Sequence, residues 1–184
     1  MVYQLEDNYV RTMTKDASIW RWHRMDLYNT GIESLPEEIF KDVAVTEKGR
    51  EIRIIVGTDS QAYQYYTKFV TAVALWRVGA GGRVYYKIYK KHYIDGKRLD
   101  NRTRLIEEAY DSIKVAMWLN PELNKIGLGI HEIETLHADL NRDKKYLSNS
   151  VVAGVLGTIS AHGFVGIVKP EGWVASRVAN RRTK

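Results

Sequence analysis

Two aspartates stand where metal or acid–base chemistry needs them. Asp59 follows the apolar run of Glu51–Gly57, and Asp139 closes the string Leu136-His137-Ala138-Asp139. Ligands of an open α/β sheet gather at the carboxyl ends of its strands, where side chains stand above a rigid layer. Either carboxylate alone would serve equally well as a solvated loop residue or a cap. On adjacent strands, the two can approach closely enough to share a hard divalent cation, which prefers oxygen ligands. The helix that begins near Asn101 offers a third carboxylate. A helical wheel places Glu108 beside the apolar stripe with Asn101, Arg104 and Ser112, and Glu107 on the opposite flank, so Glu108 is the preferred third ligand. His137, Asp139 and Asn141 alternate at spacing two and share one strand face. His137 is then either a group that orients a water or takes a proton, its ordinary pKa lying near neutrality, or a hydrogen-bonded structural histidine.

The inventory removes other chemistries. The 184 residues contain no cysteine, which excludes disulfides, thiolate nucleophiles, iron–sulfur clusters and cysteine-based zinc sites. His131-Glu132 lacks the second histidine four residues after the first that a zinc-protease helix requires. Gly79-Ala80-Gly81-Gly82 lacks the lysine and following Ser/Thr of a phosphate loop and predicts a hairpin turn. Ser60 has no nucleophile-elbow context.

The elements that must position these residues follow from periodicity. A helix is expected over Leu35–Val43, with Pro36 in its first turn. Glu51–Gly57 reads as a strand buried on both faces, and Thr67–Val78 and Arg83–Ile94 as two more in meander order. From Asn101 the period becomes helical, through Leu105, Ile106, Ala109, Ile113, Ala116 and Met117, until Asn120-Pro121 stops it. Gly127–Asp139 contains a fourth strand. Ser148–His162 follows as a helix whose Ala153, Gly154 and Gly157 allow close packing. Phe164–Val168 is a fifth strand, and Trp173–Arg182 a basic C-terminal helix. The order βββαβαβα predicts an α/β fold, a mixed sheet of five strands with helices on both faces. Residues 51–184 are expected to form the domain and residues 1–50 an extension packed on its core.

The net charge of +6 is unevenly placed. Residues 1–50 hold seven Lys/Arg against nine Asp/Glu, and residues 51–184 hold 21 against 13, so the chain runs from −2 to +8. A basic body, with Arg177, Arg181, Arg182 and Lys184 near its end, suits a polyanion, because phosphate contacts release counterions; it equally suits a solubilising surface. No apolar run approaches the roughly 20 residues that cross a bilayer, and no apolar leader with basic flanks opens the chain. The expectation is a cytoplasmic protein with no membrane partner.

At this point the residues resemble the ribonuclease H-like YkuK family of bacteria and phages. The likeness rests on Val56-Gly57-Thr58-Asp59-Ser60-Gln61, Arg104-Leu105 with Glu108, His137-Ala138-Asp139-Leu140-Asn141, and Gly163-Phe164, Lys169-Pro170 and Trp173-Val174-Ala175-Ser176. It covers roughly residues 50–182. The resemblance implies a ribonuclease H-like fold and two Mg²⁺ or Mn²⁺ ions held by Asp59, Glu108 and Asp139, with Asp59 bridging them. The family pattern ends in Val-Ala-Asp, where this chain has Val178-Ala179-Asn180, so Asn180 would present a neutral amide to the second ion. Two functions follow. One is a metal-dependent nuclease acting on RNA, RNA–DNA hybrid or structured DNA, and the alternative is a catalytically weak or inactive nucleic-acid-binding protein on the same scaffold.

Overall fold

The candidate site is built on one mixed sheet and the helices that cover it. The computed structural model describes residues 20–25, 31–141 and 149–183. Its strands are β1 (Trp22–Arg24), β2 (Gly31–Ile32), β3 (Ile52–Ala62), β4 (Tyr66–Arg77), β5 (Gly82–His92), β6 (Thr135–Asn141) and β7 (Val165–Lys169), ordered β2-β1-β5-β4-β3-β6-β7 across the sheet. β3, β4 and β5 are antiparallel neighbours, and β6 and β7 add in parallel. The helices are α1 (Leu35–Ala44), α2 (Asn101–Lys125) and α3 (Asn149–Ala161). A π-helical turn over Val174–Ala179 runs into a last short helix, α4 (Asn180–Thr183). The order expected from periodicity is present.

The sheet has seven strands rather than the expected five. Both additions precede residue 50, where three-residue and two-residue segments are too short to show alternation. Tryptophans hold this segment in place. Trp22 is buried and stacks on Trp118 of α2 at 6.3 Å, and Trp20 meets Trp118 edge-on at 5.5 Å. Beneath them Lys87 is buried with its ammonium 3.6 Å from the Trp20 ring centre. Burial pulls the Lys87 pKa down to about 8, opposed by Asp111.

One face of the sheet carries the main apolar core, in which Val56, Val73, Leu75, Leu136 and Leu140 pack against Ile113, Leu119, Leu123, Val155 and Ile159. The other carries a smaller cluster of Ile55, Val70, Ala72, Ala74 and Tyr86 under Val174 and Ala179. Gly57 is why that second layer fits. A Cβ there would lie 2.7 Å from Ala175 N and 2.9 Å from His137 O, so the C-terminal turn rests directly on the strand backbone.

Three expected boundaries move. β3 continues to Ala62 and β6 to Asn141, so Asp59 lies within its strand rather than just past it, and Asp139 lies inside its strand rather than at its last position. α2 runs through Pro121 to Lys125. Leu119 and Leu123 bury its last turns, and the Asn120 amide accepts from Ile133 N at 2.8 Å and donates to Ile133 O at 3.1 Å. Gly154 and Gly157 have open space around them and contribute no close packing. Lys184 and Ser148, named in the sequence reading, lie outside the described residues.

Candidate active site

Parallel pairing of β3 with β6 sets Gly57 beside His137 and Thr58 beside Ala138, which carries Asp59 and Asp139 to the same end of the sheet. Alternation along β3 turns Thr58 and Ser60 towards α2 and Asp59 towards the C-terminal turn. Thr58 Oγ1 accordingly lies 2.9 Å from Ser112 Oγ, and Ser60 Oγ donates to Glu108 Oε1 at 2.6 Å. Arg104, one helical turn before Glu108, donates to Ser60 O at 2.7 Å and stands 3.6 Å from Glu108 Oε1. On the other side, Thr183 Oγ1 donates to Asp59 Oδ2 at 2.8 Å and lies 3.4 Å from Asn180 Oδ1. Lys169 Nζ comes within 2.5 Å of Asp139 Oδ1, outside hydrogen-bonding angles.

The electrostatics record a crowding of negative charge. Asp59 is 8 % exposed and Glu108 5 %. Burial pushes the Glu108 carboxyl up to about 8, reinforced by Asp59 and Asp139 and opposed by Ser60 and Arg104. Burial likewise pushes Asp59 up to about 6, with Asp139 adding to it and the Thr183 hydroxyl opposing it. The three carboxylates therefore feel one another across β3, α2 and β6. Glu107 points elsewhere and pairs with Lys91.

His137 is buried, accepts from Val174 N at 3.2 Å through Nδ1, and meets Trp173 edge-on at 5.9 Å. Burial holds its pKa down to about 4, so the ring is neutral near pH 7. Its visible bond supports the turn that leads to Asn180 and Thr183.

The donor set, being all oxygen, suits a hard divalent cation. The spacing is another matter: among the described residues no three His, Asp or Glu side chains stand close enough to hold an ion. Each carboxylate instead has a protein partner: Glu108 accepts from Ser60, Asp59 accepts from Thr183, and Asp139 is ion-paired with Lys169. The sequence reading gave no role to Ser60, Arg104, Lys169 or Thr183. Ser60 and Arg104 lie inside recognisable strings, and parity along β3 would have pointed Ser60 at the helix. Thr183 carried no signal, since a threonine among terminal arginines reads as surface. Its burial also means that removing residues 181–184 would strip Asp59 of its partner as well as removing charge.

The raised Glu108 pKa fixes a pH dependence. The folded protein keeps a proton that the unfolded chain, with its carboxyl at 4.5, releases. Stability from this group is full below 4.5 and lost as pH rises through about 8. The depressed His137 works in the opposite sense, and only below 6.5. Lys87, its pKa lowered to about 8, opposes Glu108 mainly above pH 8, so between pH 7.5 and 6.5 the Glu108 effect dominates. The metal-free protein is expected to gain about 1 kcal/mol over that interval, a Tm rise of roughly 2–4 °C by calorimetry. Glu108→Gln should flatten the slope, and a slope that survives it would contradict the assignment.

The comparisons agree with this architecture. A family model described as ribonuclease H-like matches residues 36–184. The uncharacterized protein YkuK of Bacillus subtilis (strain 168) is 33 % identical over 138 residues, covering 70 % of this chain and 77 % of that protein. No solved structure matches the chain. The mixed sheet, the covering helices and both sequence matches lead to one assignment: the chain belongs to the ribonuclease H-like family.

Proposed function

We propose that the protein is a divalent-metal-dependent nuclease that hydrolyses phosphodiester bonds in RNA, RNA–DNA hybrid or structured DNA. Asp59, Glu108 and Asp139 are the ligands in this reading, and Asn180 stands against Thr183, the partner of Asp59. The observation that carries it is geometric: parallel pairing of β3 with β6 brings Asp59 and Asp139 to one end of the sheet, and Ser60, the neighbour of Asp59, holds Glu108 of α2 at the same end. Bound Mg²⁺ or Mn²⁺ would supply an activated water and charge stabilisation on the leaving oxygen. The chain's own residues do the rest. Ser60 and Arg104 fix the Glu108 carboxylate, Thr183 orients Asp59, and Lys169 pairs with Asp139. His137 keeps the C-terminal turn against β6 and thereby sets where Asn180 stands.

A second reading, a nucleic-acid-binding protein of the same fold with weak or no catalysis, is favoured by two features. Lys169 already occupies Asp139, and Asn180 adds no charge. Asn180→Asp separates the readings. In the nuclease reading the added carboxylate, placed next to Thr183 and Asp59, should raise Mg²⁺-supported cleavage roughly tenfold, about 1.4 kcal/mol of barrier, and narrow the advantage of Mn²⁺ over Mg²⁺. Calorimetric titration of Mg²⁺ into both proteins gives the control. Tighter metal binding with no cleavage would favour the scaffold.

A further inference from the structure

The face of the sheet that holds Asp59 continues across β4 and β5 as a surface the carboxylates do not use. Register puts Asp59 opposite Val70 and Gln61 opposite Lys68 on β4. Val70, Lys68 and Tyr66 are in turn opposite Ile88, Lys90 and His92 on β5. These residues share one face because directly paired residues do. Like charges directly opposite destabilise a sheet, yet Lys68 and Lys90 are so placed. Arg182 completes the cluster: with Lys90 it adds to burial in pulling the Lys68 pKa down. Among the described residues, Lys68, Lys90 and Arg182 form no ion pair, whereas Lys41, Lys91, Lys125 and Lys169 each sit on a carboxylate.

Rings are interleaved with these cations. Tyr63 stacks on Tyr66 at 5.0 Å, and His92 lies 5.6 Å from Tyr66. Lys90 Nζ stands 4.7 Å from the Tyr66 ring centre and the Arg182 guanidinium 4.9 Å from that of Tyr86. Tyr65, in the turn between β3 and β4, is 68 % exposed. The surface is tied to the carboxylates, since Tyr63 Oη donates to Thr183 O at 2.5 Å and Thr183 Oγ1 donates to Asp59. A merely solubilising face would mix signs; this one concentrates unneutralised cations beside flat rings, the pairing that holds phosphates and unpaired bases.

We propose that this face of β4 and β5 is a track for single-stranded nucleic acid, with phosphates on Lys68, Lys90 and Arg182 and bases stacked on Tyr66 and His92, leading to the carboxylate site. Only its destination rests on the nuclease reading. A duplex has its bases already stacked and would engage the cations alone, so the rings select a single strand.

The test is fluorescence anisotropy with the full chain in EDTA, using labelled single-stranded RNA and DNA oligonucleotides and the matching blunt duplexes. The single strands should bind at least about tenfold more tightly than the duplexes. Lys68→Gln/Lys90→Gln should weaken single-strand binding roughly tenfold and flatten the log K against log salt slope by about 1.4. Tyr66→Leu and His92→Ala, each confirmed as folded by circular dichroism, should weaken it about fivefold or more with the slope unchanged. Lys125→Gln, a charge already neutralised by Glu122, should change nothing. Preference for duplex, indifference to the ring substitutions, or an equal loss in Lys125→Gln would overturn the track. Cleavage plays no part in this readout: binding without cleavage keeps the track and removes the nuclease, and cleavage with unaltered binding in these variants does the reverse.

Discussion

Asp59→Asn and Asp139→Asn are each expected to lower metal-dependent cleavage by roughly 10³-fold, about 4 kcal/mol of barrier, in proteins that remain folded. Asparagine keeps the shape and one acceptor oxygen, so Thr183 can still donate to position 59. What is lost is ligand charge. The fold should not suffer, because burial penalises the ionised Asp59 and the neutral amide removes that penalty. Without metal near pH 8, the Tm of Asp59→Asn should therefore equal or exceed that of the wild type. Glu108→Gln should lose activity to a similar extent, while Glu107→Gln, which breaks only the contact with Lys91, should stay near wild type. Cleavage rates and melting curves on the same four variants check this. Normal activity in Asp59→Asn would remove the carboxylate site from the chemistry, and an unfolded Asp59→Asn would show a structural role instead.

Gly57→Val should be the most damaging single change to the fold. A Cβ at 57 would come within 3 Å of two backbone atoms, Ala175 N and His137 O, which no rotamer change can relieve. Either the C-terminal turn lifts off β3 or β6 shifts away from it. Both movements disturb the site, the first by withdrawing Thr183 and Asn180 from Asp59. The cost is expected to be about 3 kcal/mol or more, seen as a Tm drop of roughly 6–12 °C. Gly154→Ala is the matching control. That glycine is exposed in α3 with open space around it, so alanine should be neutral or stabilise by up to about 1 kcal/mol. Equal melting temperatures for the wild type and Gly57→Val would mean that the C-terminal turn does not pack on β3 as described.

The legible and illegible parts of this chain divide along physical lines. β3 to β7, α2 and α3 could be read because their apolar residues recur with a period long enough to count. The three candidate carboxylates could be placed because strand ends and one helical face leave few positions, and helical periodicity alone separates Glu108 from Glu107. β1 and β2 could not be read, being short strands whose place is set by Trp20 and Trp22 meeting Trp118 across some hundred residues. Pro121 suggested a stop, but the buried Leu119 and Leu123 and the Asn120 bonds to Ile133 carry α2 past it. The protein donors that engage the carboxylates were the least visible. Lys169 and Thr183 are distant in sequence from Asp139 and Asp59, and only folding shows that a surface-looking lysine and threonine lie against them.

The most direct measurement of the central claim is cleavage of a mixed set of end-labelled RNA, DNA and RNA–DNA hybrid substrates by the 184-residue chain, with Mn²⁺, Mg²⁺ or EDTA, resolved on a denaturing gel. The account predicts product from at least one substrate class, faster with Mn²⁺ than with Mg²⁺ because Asn180 leaves the ligand set one charge short, and none in EDTA. Cleavage that persists in EDTA, or intact substrates of every class under both metals while Mn²⁺ binds, would contradict it.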